Sequence, residues 1–180
     1  MSGPQARSIP DPGFPDDAGE VDPHLRAALD VYAQAPDAPG AAYAVIAVLQ
    51  DTRLLVPVVA LLGEVEVGAH GLAQEKTADM AAVLMQGRDG RQALLAFTGL
   101  EPLQTWNPEA RPVPVSAMDA ARSARQDGAA ALLVDVAGPV LFVVEGEDLQ
   151  ALADGWRLTR LEGRWAWVAA TDSPGTASPR

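Results

Sequence analysis

The chain has 180 residues, of which 48% are apolar, enough for one domain with tails that buries its core without covalent staples. It has no cysteine, which excludes disulfides, thiolate nucleophiles, iron–sulfur clusters and cysteine-ligated zinc. Its formal charge of −11, with Lys76 as the lone lysine, repels phosphate backbones and argues against nucleic-acid or anionic-membrane partners. Arg88 with Arg91, and Arg157 with Arg160 and Arg164, are the only basic groupings.

In chain order, residues 1–21 combine proline, glycine and acids with little to bury, so a disordered N-terminal tail is expected there. They show no apolar signal region, and the reading is cytoplasmic. Asp22-Pro23 supplies a cap and a first-turn proline, and Leu25, Leu29 and Tyr32 then fall on one helical face. Ala41–Leu49 reads as a buried helix, although Val45, Ile46 and Val48 leave a strand open. The apolar stretch 41–63 is long enough for a membrane span, but Gln50-Asp51-Thr52-Arg53 interrupts its middle. A central Asp or Arg costs about 2.5–3.5 kcal/mol on insertion. Two buried elements joined by a polar turn are expected instead.

Arg53–Leu62 predicts a strand whose Pro57 demands an edge, a bulge or an unpaired position. Glu64–Gln74 reads as an acidic loop. Asp79–Met85 and Gln92–Phe97 predict a hairpin about Asp89-Gly90, and their lack of clean alternation predicts a sheet covered on both faces. A short helix at Leu100–Trp106 precedes an extended Arg111–Val115. Ser116 caps a helix that Gly128 closes. Ala131–Val136 and Val140–Val144 predict a second hairpin about Gly138-Pro139, followed by a short helix at Glu147–Ala153. Trp156–Val168 predicts a last hairpin about Glu162-Gly163 and lies beyond a domain spanning residues 22–155. Residues 169–180 read as a flexible tail. The fold class expected is α+β: a mixed, largely antiparallel sheet of about five to seven strands with helices packed on it.

No arrangement for covalent chemistry stands out. The Gly-x-Ser-x-Gly elbow is missing, and only His24 and His70 offer an imidazole. A hydrolase using Ser116 or Thr98 with His70 is the weakest of the functional readings. Glu64 with Glu66, and Glu145, Glu147 and Asp148, lack metal-ligand spacing, and no phosphate or dinucleotide fingerprint occurs, so neither metal nor cofactor is expected. Lys76 sits between Glu75 and Asp79 at the mouth of a strand, where an ion pair is the ordinary reading and a ligand contact the sharper one. If Trp165 and Trp167 share one strand face, they either cover the domain's own sheet or offer an aromatic patch to a partner.

Five segments carry a resemblance: Arg53-Leu54-Leu55-Val56-Pro57-Val58, Glu75-Lys76-Thr77-Ala78-Asp79-Met80-Ala81, Gly90–Thr98, Trp106–Val115 and Val134-Asp135-Val136-Ala137-Gly138-Pro139-Val140. In this order they resemble the SseB N-terminal domain family, in its actinobacterial branch, over about Asp22–Ala153. The resemblance implies a non-enzymatic protein and supplies no active site. The chain departs from the usual pattern at Leu95 and Gly99. Together these readings favour a protein-interaction or regulatory module whose partner is another protein. The alternative is a small-molecule sensor. Candidate binding residues are Lys76, Asp79, Thr98, Trp106 and Arg111.

Overall fold

The computed structural model describes residues 14, 17–61 and 79–169. The acidic loop read at Glu64–Gln74, Lys76 and residues 170–180 of the C-terminal tail lie outside these residues. The elements are α1 (Pro23–Gln34), α2 (Ala41–Leu49), β1 (Arg53–Leu61), β2 (Asp79–Ala82), β3 (Leu84–Gln86), β4 (Gln92–Ala96) and α3 (Leu100–Trp106). They continue with β5 (Arg111–Ser116), α4 (Ala117–Gln126), β6 (Ala131–Val134), β7 (Phe142–Glu145), α5 (Gly146–Ala153), β8 (Arg157–Leu161) and β9 (Arg164–Val168). The class is α+β, as expected.

Helix starts follow their local chemistry. The Asp22 carboxylate accepts from the His24 and Leu25 amides at 2.8 and 3.0 Å, and Ser116 Oγ accepts from the Asp119 amide at 3.0 Å. Residues 41–49 resolve as helix, with Val45, Ile46 and Leu49 buried, and the turn after Leu49 separates α2 from β1.

The main sheet has two parts, in the orders β2-β1-β5 and β3-β4-β6-β7. Among the described strands, only β4 and β6 run parallel. The parts meet where Leu55 and Phe97 exchange both backbone hydrogen bonds at 2.8 Å. Asp79–Met85, expected as one strand, is two, because the chain turns from β1 to β4 at Val83. Its amide donates to the Pro57 carbonyl at 3.2 Å, and its carbonyl accepts from Leu95 at 3.1 Å. Pro57 has no N–H to offer on that edge, so the ladder lapses opposite it. Of the three options open to Pro57, the unpaired position is the one used.

Four helices lie on one face. Leu94, Ala96, Leu132, Val134, Phe142 and Val144 pack there with Leu25, Ile46 and Leu152. The opposite face buries Leu55, Leu95 and Phe97 under Leu103 of α3. Strands covered on both sides cannot alternate in polarity, which explains the unbroken apolar runs of β1 and β4. Cover on the second face gives out toward β7, where Phe142 and Val144 are buried while Val143 and Glu145 are exposed.

Two further findings refine the sequence reading. Asp17–Val21, grouped with the tail on composition, lies against the body. There the Arg53 guanidinium bonds both Asp17 oxygens, the Glu20 carbonyl and the Thr98 carbonyl. The C-terminal hairpin forms about Glu162-Gly163, but its tryptophans cover helices rather than the main sheet. Trp165 packs on Tyr43 of α2 with ring centroids 6.4 Å apart, and Trp167 Nε1 donates to Asp148 of α5 at 2.8 Å. Among the described residues, no helix is long and apolar enough to cross a membrane.

Candidate functional site

Parallel pairing of β4 with β6, Ala96 opposite Val134, brings their carboxyl ends side by side. Thr98 and Asp135 follow those ends, and both are buried. The Thr98 amide donates to Asp135 Oδ1 at 2.8 Å, and its hydroxyl donates to Oδ2 at 2.6 Å. The Asp135 amide donates to the Ala96 carbonyl at 3.0 Å, so one residue ties both strand ends together. Asp135 takes φ +56°, a left-handed conformation that aspartate tolerates better than most side chains. Its carbonyl accepts from Gly138 at 2.9 Å. A Cβ at position 138 would stand 2.8 Å from Asp135 Cβ, so this turn requires glycine. The expected hairpin about Gly138-Pro139 therefore has a longer connection, because Asp135 leaves the ladder to reach Thr98.

Burial pushes the Asp135 carboxyl above its ordinary range, opposed by the two hydrogen bonds from Thr98 and by the charge of Arg26. Around the pair lies a cleft of about 100 Å³, bordered by Arg26, Asp30, Glu101, Thr105 and Pro139. Both carboxylate oxygens already accept from Thr98. Among the described residues, no buried side-chain polar atom lacks a partner.

A second depression, of about 580 Å³, lies on the sheet face that α3 leaves open. Met85, Ala93, Leu133 and Val143 form its floor, and Arg88 and Arg91 stand on its rim. Val143 is 40% exposed, and Leu141 beside β7 is 48% exposed. Arg91 is held by Asp89 at 2.6 Å and by Glu145 at 3.2 Å, which fixes the rim of the β3–β4 hairpin across to β7.

The structure does not gather Thr98, Trp106 and Arg111, the candidate residues whose side chains it describes. Lys76 lies outside the described residues. Asp79 starts β2, opposite Leu61. Arg111 is exposed at the start of β5, opposite Val58. Trp106 packs on Phe97 at 5.6 Å between ring centroids, in the second core. Of the three described side chains, Thr98 alone lines the cleft. Asp135 and Arg53 are the residues that sequence reasoning passed over. The available signal was an ionisable side chain at the start of an apolar run for Arg53 and within one for Asp135, where burial demands partners. Ser116, weighed as a nucleophile, caps α4 and also donates to Asp119 at 2.7 Å. His70 lies outside the described residues. Among those residues, no group of acids and histidines is assembled for a metal ion.

No curated protein and no solved structure matches the chain significantly. The family described as SseB protein N-terminal domain matches residues 25–151, well over half of the sequence. That span runs from the first buried leucine of α1 through most of α5 and stops short of the β8–β9 hairpin. It contains both strand ends joined by Thr98 and Asp135. The chain belongs to the SseB protein N-terminal domain family.

Proposed function

We propose that this chain is a cytoplasmic, non-enzymatic protein-interaction module, and that its partner docks on the open half of the β3-β4-β6-β7 face. The observation that supports this reading most directly is the loss of cover at β7. The apolar floor of Met85, Ala93, Leu133 and Val143 continues the second core beyond the reach of α3. Contiguous apolar surface with a polar rim is the usual mark of a protein-binding site. The occupant this chemistry favours is a segment offering apolar side chains to the floor and an acidic residue to Arg88.

The alternative, a small-molecule sensor, would use the cleft at Thr98 and Asp135. Ligand pockets usually span about 300–1,000 Å³. The cleft is smaller, at about 100 Å³, and the carboxylate within it is already engaged by Thr98. Both features weigh toward a structural role for the pair.

A photo-activated cross-linker at position 143, compared with one at exposed position 126 on α4, tests the docking face in the native host. The expected outcome is a discrete adduct from position 143 alone, lost from Val143→Arg competitor protein whose melting temperature matches the parent. Adducts of equal yield at both positions would reject this face. A metabolite at about 100 times its dissociation constant would stabilise the chain by about 2.7 kcal/mol. Such a shift, abolished by substitution at Asp135, would favour the sensor.

A further inference from the structure

We infer that the outer edge of β9 is a self-pairing site, through which two copies of this chain join their C-terminal hairpins into one four-stranded antiparallel sheet. The inference is independent of the docking face and concerns an interface on another part of the molecule.

Backbone geometry carries it. Glu162 and Gly163 take φ +49° and +82°, the two-residue turn in which the flanking pair, Leu161 and Arg164, exchanges hydrogen bonds. The pattern then alternates along the ladder. Arg164, Ala166 and Val168 direct their N–H and C=O groups at β8. Trp165 and Trp167 direct theirs outward, as do Leu158 and Arg160 on the far edge of β8.

The far edge is closed at Leu158. The Gln50 side-chain amide donates to its carbonyl at 3.0 Å and accepts from its amide at 2.8 Å, taking the place of another strand. The free edge of β5 is blunted differently. Pro112 and Pro114 stand opposite Pro57 and Leu55, so the positions whose amides would face outward carry none. Among the described residues, no such device protects β9. Among the described residues no strand pairs with its outer edge, and Arg-Trp-Ala-Trp-Val contains neither proline nor lysine.

The outward groups are self-complementary. Under a two-fold axis through Ala166, Trp165 of one copy meets Trp167 of the other, and Trp167 meets Trp165. Each pair exchanges two hydrogen bonds, giving four in all. The same register sets Arg164 against Val168 of the second copy, so no like charges stand opposite. Thr159, Leu161, Ala166 and Val168 would then line one continuous outer face, on which Leu161 and Val168 are now 52% and 42% exposed. A two-stranded hairpin is marginal as a sheet, and four strands are not. A closed two-fold pairing also uses up the edge, which prevents further growth.

The absence of native cysteine makes a direct test available. Ala166 faces its own copy across a non-hydrogen-bonded pair, where Cα atoms lie about 4.5 Å apart, within the span of about 4.4–6.8 Å that a disulfide bridges. The full chain should sediment as a dimer. Ala166→Cys should convert to a disulfide-linked dimer under mild oxidation at least tenfold faster than Thr159→Cys, which lies on the same face away from the axis. Ala166→Lys places two cations together at the axis and should yield a folded monomer, with unchanged far-ultraviolet circular dichroism. A parent chain that is monomeric at tens of micromolar would overturn the inference. So would a dimer that Ala166→Lys leaves intact, or equal cross-linking of the two cysteine variants.

Discussion

Asp135 and Asp17 are two carboxylates with opposite consequences for stability. The Asp17 carboxyl is held below its ordinary value, chiefly by its hydrogen bonds from Arg53. Its contribution is therefore present above pH 3.8 and lost as pH falls through its lower folded value. The Asp135 carboxyl is raised by burial, so the folded chain takes its proton first. Between pH 3.8 and its raised folded value, stability falls as pH rises, because ionising Asp135 costs more in the folded than in the unfolded state. Asn at position 135 keeps an oxygen for the Thr98 amide and an amide group for its hydroxyl, without the charge. We expect Asp135→Asn to be at least as stable as the parent at pH 7 and to flatten that part of the pH profile. Asp135→Ala should lose about 1–3 kcal/mol by leaving the buried Thr98 amide unpaired. Urea unfolding from pH 3 to 8 measures both. Equal losses in the two variants would mean that the negative charge itself holds the strand ends together.

Proline placement decides the form of the strands. At Pro57 the ladder lapses on one side, and the chain turns there at Val83 from one part of the sheet to the other. At Pro112 and Pro114 the missing amides fall on the outer edge of β5, which is protected without weakening its pairing to β1. Changing both residues to Val restores two outward N–H groups while the inward ladder stays intact. Light scattering should then show concentration-dependent association beyond any dimer, while the circular dichroism remains that of the parent. Unchanged scattering would show that something else guards this edge. The sequence announced that these segments were extended, and it announced the β3–β4 hairpin through Asp89-Gly90. It could not announce that Asp79–Met85 divides at Val83, because the break depends on which strand lies opposite.

Taken whole, the molecule has a main sheet cored on both faces and a hairpin added beyond the span matched by the family. The hairpin is joined to the domain by more than linkage. Leu158 is 3% exposed within the main core, Gln50 bonds its backbone from the residue that follows α2, and Arg157 reaches both oxygens of Asp51 at 2.7 Å. Truncating a leucine so enclosed should cost about 2–5 kcal/mol. For Leu158→Ala this should appear as one cooperative transition at lower temperature. A separate early transition would instead mark the hairpin as its own unfolding unit, and intact stability would show that the family span stands without it.

What the amino-acid order settled alone were matters of short range. Caps at Asp22 and Ser116 and turns at Asp89-Gly90 and Glu162-Gly163 each depend on neighbours a few residues away. The family, too, could be read from ordered segments. Tertiary structure decided the rest. Asp135 finds Thr98 across 37 positions, Arg53 finds Asp17 across 36, and Gln50 finds Leu158 across 108. Of Thr98, Trp106 and Arg111, only Thr98 reached the cleft, since strand mouths distant in sequence converge only when a sheet order is chosen. A buried charge must find a partner somewhere, but the chain does not say where. That location follows from which strands lie side by side, and their order emerges from packing two apolar faces at once.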